Sequence, residues 1–587
     1  MQIESRSAES FILGKDASLE SSIESMQAKL AALGFHIEER SWLNPVANAW
    51  SVHIRDRDCP LLFTNGKGAS EKAARASALG EFFERLGCNY FWSHYYLGAT
   101  LAQRAYVHYP QEKWFPLAAG DAWPEGLLDA ELRAFYNPDG AVPAGALVDR
   151  NSGNAVRGIC ALPYQRQRDG ATLWFPVNLI GNLYVSNGMS AGNTAAEARV
   201  QALSEIFERH VKFRIIGEGL CLPDVPDAVI ARYPKIEAGI RDLRAAGFGI
   251  LVKDASLGGR YPVMNVTLLN PRDQGCFSSF GAHPRFEIAL ERALTELLQG
   301  RALDALDDFP EPGFDLDEIA DAQNLEIHFV DSSGIISWEF LRATPDYGFA
   351  DWDFRGGTDQ EFARLCAAIH DDGREIYIAD FPHLGIYACR ILVPGMSEIY
   401  PLDDLEWNNN SVGNPLHQAI LHLPQLEDAQ IRALLDTLND LGLDDQRPVA
   451  ALIGLAADAG SLWRDLRVGE LKALLALALR DANAAREGCQ WVRHFEQLDP
   501  ARRRVYRCIE TLLEMSDGDG RIPDDYGDSL MSLYGADTLK TARAMLRGEQ
   551  RYFGLQAPGL DLAGCDMHQR LLAAYRKLDF NEEMGSR

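Results

Sequence analysis

Two eight-residue stretches, more than a hundred residues apart, are near copies of each other. Ala78-Leu-Gly-Glu-Phe-Phe-Glu-Arg85 aligns without gaps to Ala202-Leu-Ser-Glu-Ile-Phe-Glu-Arg209, with identity at six of eight positions. Each presents Glu-x-x-Glu-Arg, a spacing that puts both carboxylates on one helix face: Glu81 with Glu84, and Glu205 with Glu208. Ser77 joins the first face one turn upstream. Glu197 and Gln201 join the second, because 197, 201, 205 and 208 advance by four, four and three. One such motif alone reads as a solvated helix face. Two copies interleaved with Phe82, Phe83, Ile206 and Phe207 read as partly buried helices whose pseudo-symmetric packing would bring the acidic faces together. Carboxylates gathered in this way raise one another's pKa unless cations neutralise them. Oxygen-only ligands suit magnesium, which keeps positions open for phosphate oxygens and water. No histidine pair at helical spacing offers zinc or iron a comparable site.

A third helical stretch, Ala289 to Gln299, places Arg292, Glu296 and Gln299 on one face at i, i+4 and i+7. Its arginine reads either as a bidentate phosphate partner or as half of an intrahelical Arg-Glu pair. Glycine-bearing stretches, Asn65-Gly-Lys-Gly68 and Ser186-Asn-Gly-Met-Ser-Ala-Gly-Asn193, lead into the two acidic helices. Neither matches the Walker A pattern. They are either ordinary turns or loops that offer backbone amides to an anion at a helix start. No Ser-His-Asp or Cys-His nucleophile set is legible.

The elements that must hold these residues follow from hydrophobic periodicity. Strands are expected at Trp50 to Ile54, Leu61 to Thr64, Thr172 to Val177, Val263 to Leu269, Glu375 to Ala379 and Ala388 to Val393. Helices are expected at Ser70 to Leu86, Ala195 to Ile216 and Phe286 to Ala302, so the first part of the chain reads as α/β or α+β. Composition changes after Pro401, and from about Ile431 leucine and alanine recur at helical spacing. Helices are expected there at Glu470 to Ala482, Ala484 to Phe495, Ala501 to Met515, Asp528 to Tyr534, Lys540 to Arg547 and Met567 to Leu578. Gly469 to Pro500 is compatible with one degenerate tetratricopeptide unit. The polar run Trp407 to Pro415 reads as a linker.

The 587 residues are 47% hydrophobic and 24% charged, enough for two to four domains with large cores. A net charge of -27 opposes direct binding to nucleic acid or an anionic membrane. The ten cysteines are scattered singly with no C-x-x-C, as in a reduced cytoplasmic protein. Met1 to Phe11 shows no cationic stretch followed by an apolar run, so no secretory signal is expected. No apolar helical run is long enough for a membrane span.

Taken together, the motifs resemble the YcaO family. The order runs Asn65-Gly-Lys-Gly68, Ala76-Ser-Ala-x-x-Glu81-x-x-Glu84-Arg85, Asn187-Gly-x-x-x-Gly192 with Glu197, Glu205, Glu208 and Arg209. Arg292-x-x-x-Glu296-x-x-Gln299 and the Val393-Pro-Gly395 turn complete it. The resemblance covers about residues 10 to 400. It implies an α/β (α+β) ATP-binding core over 1–405 and an all-α, tetratricopeptide-like domain over 406–587. It implies ATP and Mg2+ as cofactors, with Glu81, Glu84, Glu197, Glu205 and Glu208 as magnesium ligands. Lys15, Ser22, Ser77, Ser190, Asn193, Arg209, Arg292 and Glu296 would contact ATP.

Family members use ATP to activate a peptide backbone amide: the amide oxygen takes the γ-phosphoryl group and leaves as phosphate, giving azolines or thioamides. Azoline-forming members commonly end in Pro-x-Pro-x-Pro, whereas this chain ends Phe580-Asn-Glu-Glu-Met-Gly-Ser-Arg587, which argues against cyclodehydration. The helical tail resembles that of the stand-alone branch. That likeness implies a factor assisting a RimO-type radical enzyme in β-methylthiolation of an aspartate in a small-subunit ribosomal protein. The chain has no three-cysteine cluster motif of its own. A homodimer is expected through the helical tail. A scaffold with a structural nucleotide site is the competing reading.

Overall fold

A computed structural model describes residues 9–495, 497–517 and 521–578. The opening segment before residue 9 and the C-terminal run Phe580 to Arg587 lie outside the described residues. Among the described residues, twelve strands form three antiparallel sheets. The first is β1 (Ile37–Val46), β2 (Ala49–Asp56) and β3 (Phe63–Gly68). The second has the order β10 (Cys276–Ala282), β9 (Val263–Leu269), β8 (Gly249–Asp254). The third runs β4 (Lys113–Phe115), β5 (Ile159–Arg166), β11 (Tyr377–Phe381), β12 (Tyr387–Leu392), β7 (Met189–Gly192), with β6 (Thr172–Pro176) paired to β5. Six of these strands match the sequence expectation within a few residues. Of the others, β1 is mostly polar, and β10 is a continuously buried run without alternation.

Helix α1 (Leu19–Ala32) precedes β1, and three further helices carry the motifs: α2 (Glu71–Gly87), α3 (Ala195–Glu218) and α4 (Phe286–Leu297). Each lies on a strand at a glycine. A Cβ at Gly66 of β3 would stand 2.0 Å from the Ala74 carbonyl oxygen of α2, and one at Gly192 would stand 2.8 Å from the Ala198 nitrogen of α3. One at Gly281 of β10 would stand 2.4 Å from the Ala293 nitrogen of α4. Only a residue without a side chain permits that approach. The glycines ahead of the acidic helices therefore serve packing. The first amides of α2 and α3 are occupied from within, because Ser70 Oγ accepts from the Ala73 N–H and Thr194 Oγ1 from the Glu197 N–H.

Helices α2 and α3 pack against the β7 and β12 edge of the third sheet. Gly87 of α2 sits against Ala388, whereas Ile206 and Phe207 of α3 join the cluster holding Cys389 and Ile391, whose side chains alternate with Ala388. The two helices thus embrace the sheet edge from its two faces. Phe82, Phe83, Ile206 and Phe207 are all buried, each stabilising the fold by about 1.5–3 kcal/mol. Two short helices, α5 (Leu316–Ala320) and α6 (Ala322–Val330), pack beside α3.

After β12 the described chain has only helices, among them α7 (Asp428–Asp440), α8 (Val468–Ala478), α9 (Ala482–His494), α10 (Pro500–Ser516), α11 (Gly527–Tyr534), α12 (Ala536–Leu546) and α13 (Asp566–Arg576). Helices α8 and α9 touch closely because Gly488 lies on Ala473 and Gly469 on the Trp491 ring. The expected linker at 407–415 is firmly built in. Asn409 is buried and accepts from Asn178 Nδ2 at 3.0 Å, while its own amide donates to the Ala146 carbonyl at 3.0 Å. The last helix returns to the first part of the chain. Leu571, Leu572 and Tyr575 share a core with Phe82 and Phe83, Trp92 Nε1 donates to the Leu571 carbonyl at 3.1 Å, and the Tyr575 hydroxyl donates to the Val107 carbonyl. Among the described residues, no helix is long and apolar enough to cross a membrane.

Candidate nucleotide and metal site

Beside the sheet edge on which both pack, the acidic faces of α2 and α3 come within electrostatic reach, joined by α4 and β3. Glu81 is held by Arg85 through Nε at 3.0 Å, and Glu205 by Arg209 Nη2 at 3.0 Å. The two copies of the repeat thus make the same i, i+4 pair. Each arginine also lies over an aromatic ring, Arg85 over Tyr90 at 5.2 Å and Arg209 over Phe329 at 4.3 Å. Arg292 of α4 reaches Glu208 at 3.7 Å and donates to Gln201 Oε1. It thereby crosses to α3, so the intrahelical Arg-Glu alternative gives way. Glu296 pairs instead with Lys67 of β3, which also donates to Gln299 Oε1 at 3.2 Å.

Burial, then the Glu205 and Glu81 carboxylates, push the Glu84 carboxyl well above the usual range. Burial also raises Glu205, against the pull of Arg209. Lys67 is drawn down to about 8 by burial, which outweighs the attraction of Glu208. The site thus holds acidic and basic groups, Glu84, Glu205 and Lys67, whose proton affinities burial shifts toward the neutral form.

A second group lies at the start of α3. Glu197, 3% exposed, receives Lys15 at 3.2 Å, the Asp16 N–H at 3.0 Å and the Asn193 side-chain amide, whose nitrogen lies 2.9 and 3.1 Å from its two oxygens. Burial works to raise its carboxyl, yet the ion pair with Lys15 and the donors around it hold it below the usual range. Ser22 Oγ donates to Asn193 Oδ1 at 2.9 Å, so Lys15, Ser22, Asn193 and Glu197 are one connected set. His283 adjoins both groups: burial lowers it strongly, with Arg292 and Lys15 adding to the effect. Ser77 stands exposed on α2 one turn before Glu81, and Ser190 is buried on β7 with its hydroxyl toward the Ala191 carbonyl at 3.4 Å. Neither joins the two ion-paired groups directly.

Residue patterns alone passed over Lys67 and Asp16. Lys67 alternates with Asn65 on the β3 face away from α2, a period-two signal masked by the glycines between. Asp16 pins the N-terminal segment to Thr194 and to Thr358, whose hydroxyl it receives at 3.1 Å. No sequence signal links positions so distant.

The donor types test what could bind here. Arg209 Nη1 and Arg292 Nε are buried without a hydrogen-bond partner among the described residues. Buried guanidinium donors left open in this way match anionic oxygen, as in a phosphate. The carboxylates supply oxygen alone, the donor set of Mg2+. Among the described residues no three acidic, histidine or cysteine side chains converge at metal-ligand spacing, and each paired glutamate answers to a lysine or arginine. By donor type the residues fit a nucleotide with a divalent cation, which would take over the neutralisation the basic side chains now supply.

Comparison with known proteins agrees with this chemistry. A family model described as YcaO cyclodehydratase, ATP- and Mg2+-binding, matches residues 65–397, and a second, the YcaO cyclodehydratase C-terminal domain, matches residues 413–582. The chain is 53% identical over 574 residues to the ribosomal protein S12 methylthiotransferase accessory factor YcaO of Escherichia coli, covering 97% of this chain and 98% of that one. It is 51% identical over 577 residues to an uncharacterized protein of Haemophilus influenzae, covering 97% and 98%. Among solved structures, YcaO from Methanopyrus kandleri bound with AMPPCP and Mg2+ aligns with a TM-score of 0.40 at 15% identity, covering 67% of this chain and 93% of that one.

Proposed function

Because the chain belongs to the YcaO family, whose cofactors are ATP and Mg2+, we propose that it hydrolyses ATP to assist β-methylthiolation of an aspartate in a small-subunit ribosomal protein. A RimO-type radical enzyme would be its partner. The observation that carries the nucleotide part is the pairing of two arginines, Arg209 and Arg292, whose buried donors are left open beside a nest of glutamates. The accessory role is supported by the relative of that description, which matches nearly the whole chain. A second reading, activation of a backbone amide by ATP to form a thioamide or azoline, is favoured by the cyclodehydratase description of the matching model.

In this account Glu81, Glu84, Glu197, Glu205 and Glu208 would hold magnesium, which supplies charge neutralisation for a transferring phosphoryl group. Arg209 and Arg292 bind and orient phosphate oxygens; their planar donors suit that geometry. Lys15 and Asn193 position Glu197, and Ser22 fixes Asn193. Lys67, held by Glu296 and Gln299, adds positive charge on the β3 side. Ser77 of α2 and Ser190 of β7 would contact ATP. The 1–405 part carries this site, and the 406–587 part presents helices to a partner or a second copy.

Deleting the coding gene in its host and weighing the ribosomal protein by mass spectrometry tests the accessory role. The methylthio group should fall in abundance, return with the unaltered gene, and stay low with Glu208→Gln. A fully modified ribosomal protein in the deletion strain would reject that role and bring amide activation forward.

A further inference from the structure

Five of the exposed large apolar side chains fall within one short stretch: Phe314, Leu316, Ile327, Val330 and Trp338. Phe314 is 85% exposed and Val330 71%. The parallel bridge between Gly313 and Ser337 sets Phe314 beside Trp338, and their rings stack at 5.9 Å with 21° between planes. An exposed aromatic stack with further exposed apolar side chains close in the chain is the kind of surface at which partners bind. The same stretch forms a groove lined by Asp308, Asp317, Glu318 and Asp321, with Ile327 and Ile335 among its apolar walls. Among the described residues no lysine or arginine pairs with any of those four carboxylates. This sets them apart from the glutamates of the nucleotide site, nearly all of which have basic partners.

Helix α6 is the ridge between the two regions. One side carries Phe329, which covers Arg209, and Glu326, which accepts from the Tyr400 hydroxyl. Gln323, Asn324 and Ile327 of the same helix border the groove. A ligand lying in the groove is therefore one helix width from an arginine of the nucleotide site. Unpaired carboxylates in a groove, with an exposed tryptophan and phenylalanine on the same stretch of chain, suit lysine and arginine side chains, through ion pairing and cation–π contact with apolar support for their stems.

We infer that this groove docks an extended segment of a polypeptide partner bearing several lysines and arginines. The inference rests on the proposed work upon a protein client and names the chemistry of that client. Charge complementarity selects the occupant: the groove repels acidic segments and nucleic acid, and the aromatic stack adds contact that a free cation would not use.

The test uses the full-length protein and a fluorescein-labelled synthetic peptide of alternating lysine, arginine and serine, followed by fluorescence anisotropy at physiological salt. The Asp308→Asn, Asp317→Asn, Glu318→Gln variant keeps side-chain shape and should bind at least about tenfold more weakly. Trp338→Ala should weaken binding several-fold. A control variant with the same loss of charge on the tail, Asp436→Asn, Asp440→Asn, Asp537→Asn, should bind like the parent. Magnesium-dependent ATP binding, measured separately on each variant, should stay at the parent level, so failure of the groove and failure of the nucleotide reading give different results. No binding by the parent protein, or equal loss in the groove and tail variants, would overturn the inference. So would a change of sedimentation coefficient on Trp338→Ala, which would assign the patch to a second copy of the chain.

Discussion

Gly66→Ala is the sharpest perturbation of the packing that brings the acidic helices together. The added Cβ would stand 2.0 Å from the Ala74 carbonyl oxygen, 2.4 Å from the Ala78 nitrogen and 2.6 Å from the Ala78 Cβ. All three belong to helix α2 and two are backbone atoms, so no side-chain rotation relieves the clash. Cβ atoms essentially never come nearer than 3.0 Å to such neighbours. The helix must therefore lift from β3 by about 1 Å or more, a displacement at which overpacked cores lose roughly 1–3 kcal/mol. Because Glu81 and Glu84 ride on α2, that lift also moves them against Glu205. Gly80→Ala, in the same helix, is the matched control: its Cβ would meet nothing within 4 Å. Alanine there should stabilise by roughly 0.5–1 kcal/mol through helix propensity alone. Urea unfolding followed by circular dichroism, with ATP titration in magnesium, reads both effects. Opposite shifts in stability, with weakened ATP binding only in Gly66→Ala, are expected. A Gly66→Ala protein with parental stability and binding would show that the close approach of α2 to β3 does not set the site.

Three further outcomes follow from buried polar groups. His568 of α13 is fully buried, takes the Ala456 N–H on Nδ1 at 3.0 Å and donates from Nε2 to the Tyr96 carbonyl at 2.8 Å, and burial holds its pKa down to about 4. The folded state thus refuses a proton the unfolded chain accepts between about pH 6.5 and 4. Its contribution is complete above pH 6.5 and lost as pH falls through that window, by up to about 3 kcal/mol; the stability-versus-pH slope of His568→Gln should be shallower there by about one proton. Glu470, buried among the tail helices, accepts from the Tyr506 hydroxyl at 2.9 Å and from Arg502 Nη2 at 3.2 Å. Arg502→Met should cost about 3–5 kcal/mol by stranding that carboxylate, with Glu470→Gln restoring much of it, as a double-mutant cycle in urea would report. Tyr575→Phe should loosen α13 by about 1 kcal/mol, seen as faster amide exchange there, because the Val107 carbonyl loses its partner.

How far the chain disclosed itself depended on whether a signal was local. The Glu-x-x-Glu-Arg repeat is local, and both helices lie where their apolar spacing placed them, with Glu81, Glu84, Glu205 and Glu208 in electrostatic reach of one another though not converging at metal-ligand spacing. The strand β10 was illegible because a fully buried strand has no alternation to read, and β1 because its residues are largely polar. Lys67 carries no strand signal because Gly66 and Gly68 on either side of it leave no side-chain alternation to read. The union of Lys15, Ser22, Asn193 and Glu197 depends on an N-terminal segment folding back across the start of α3, a long-range fact carried by Asp16 with Thr194 and Thr358. The return of α13 to the core around Phe82 and Trp92 likewise has no local signature. Only the tertiary fold reveals that Leu571 and Tyr575 complete that core.

The central claim is that the paired acidic helices bind ATP through magnesium. Isothermal titration of the purified full-length chain with ATP, with magnesium and with EDTA, beside Glu205→Gln and Arg292→Gln, tests it most directly. Magnesium-dependent binding by the parent, lost or weakened at least about tenfold in both well-folded variants, is the predicted result. Binding that is unchanged by EDTA, or equally strong in both variants, would contradict it.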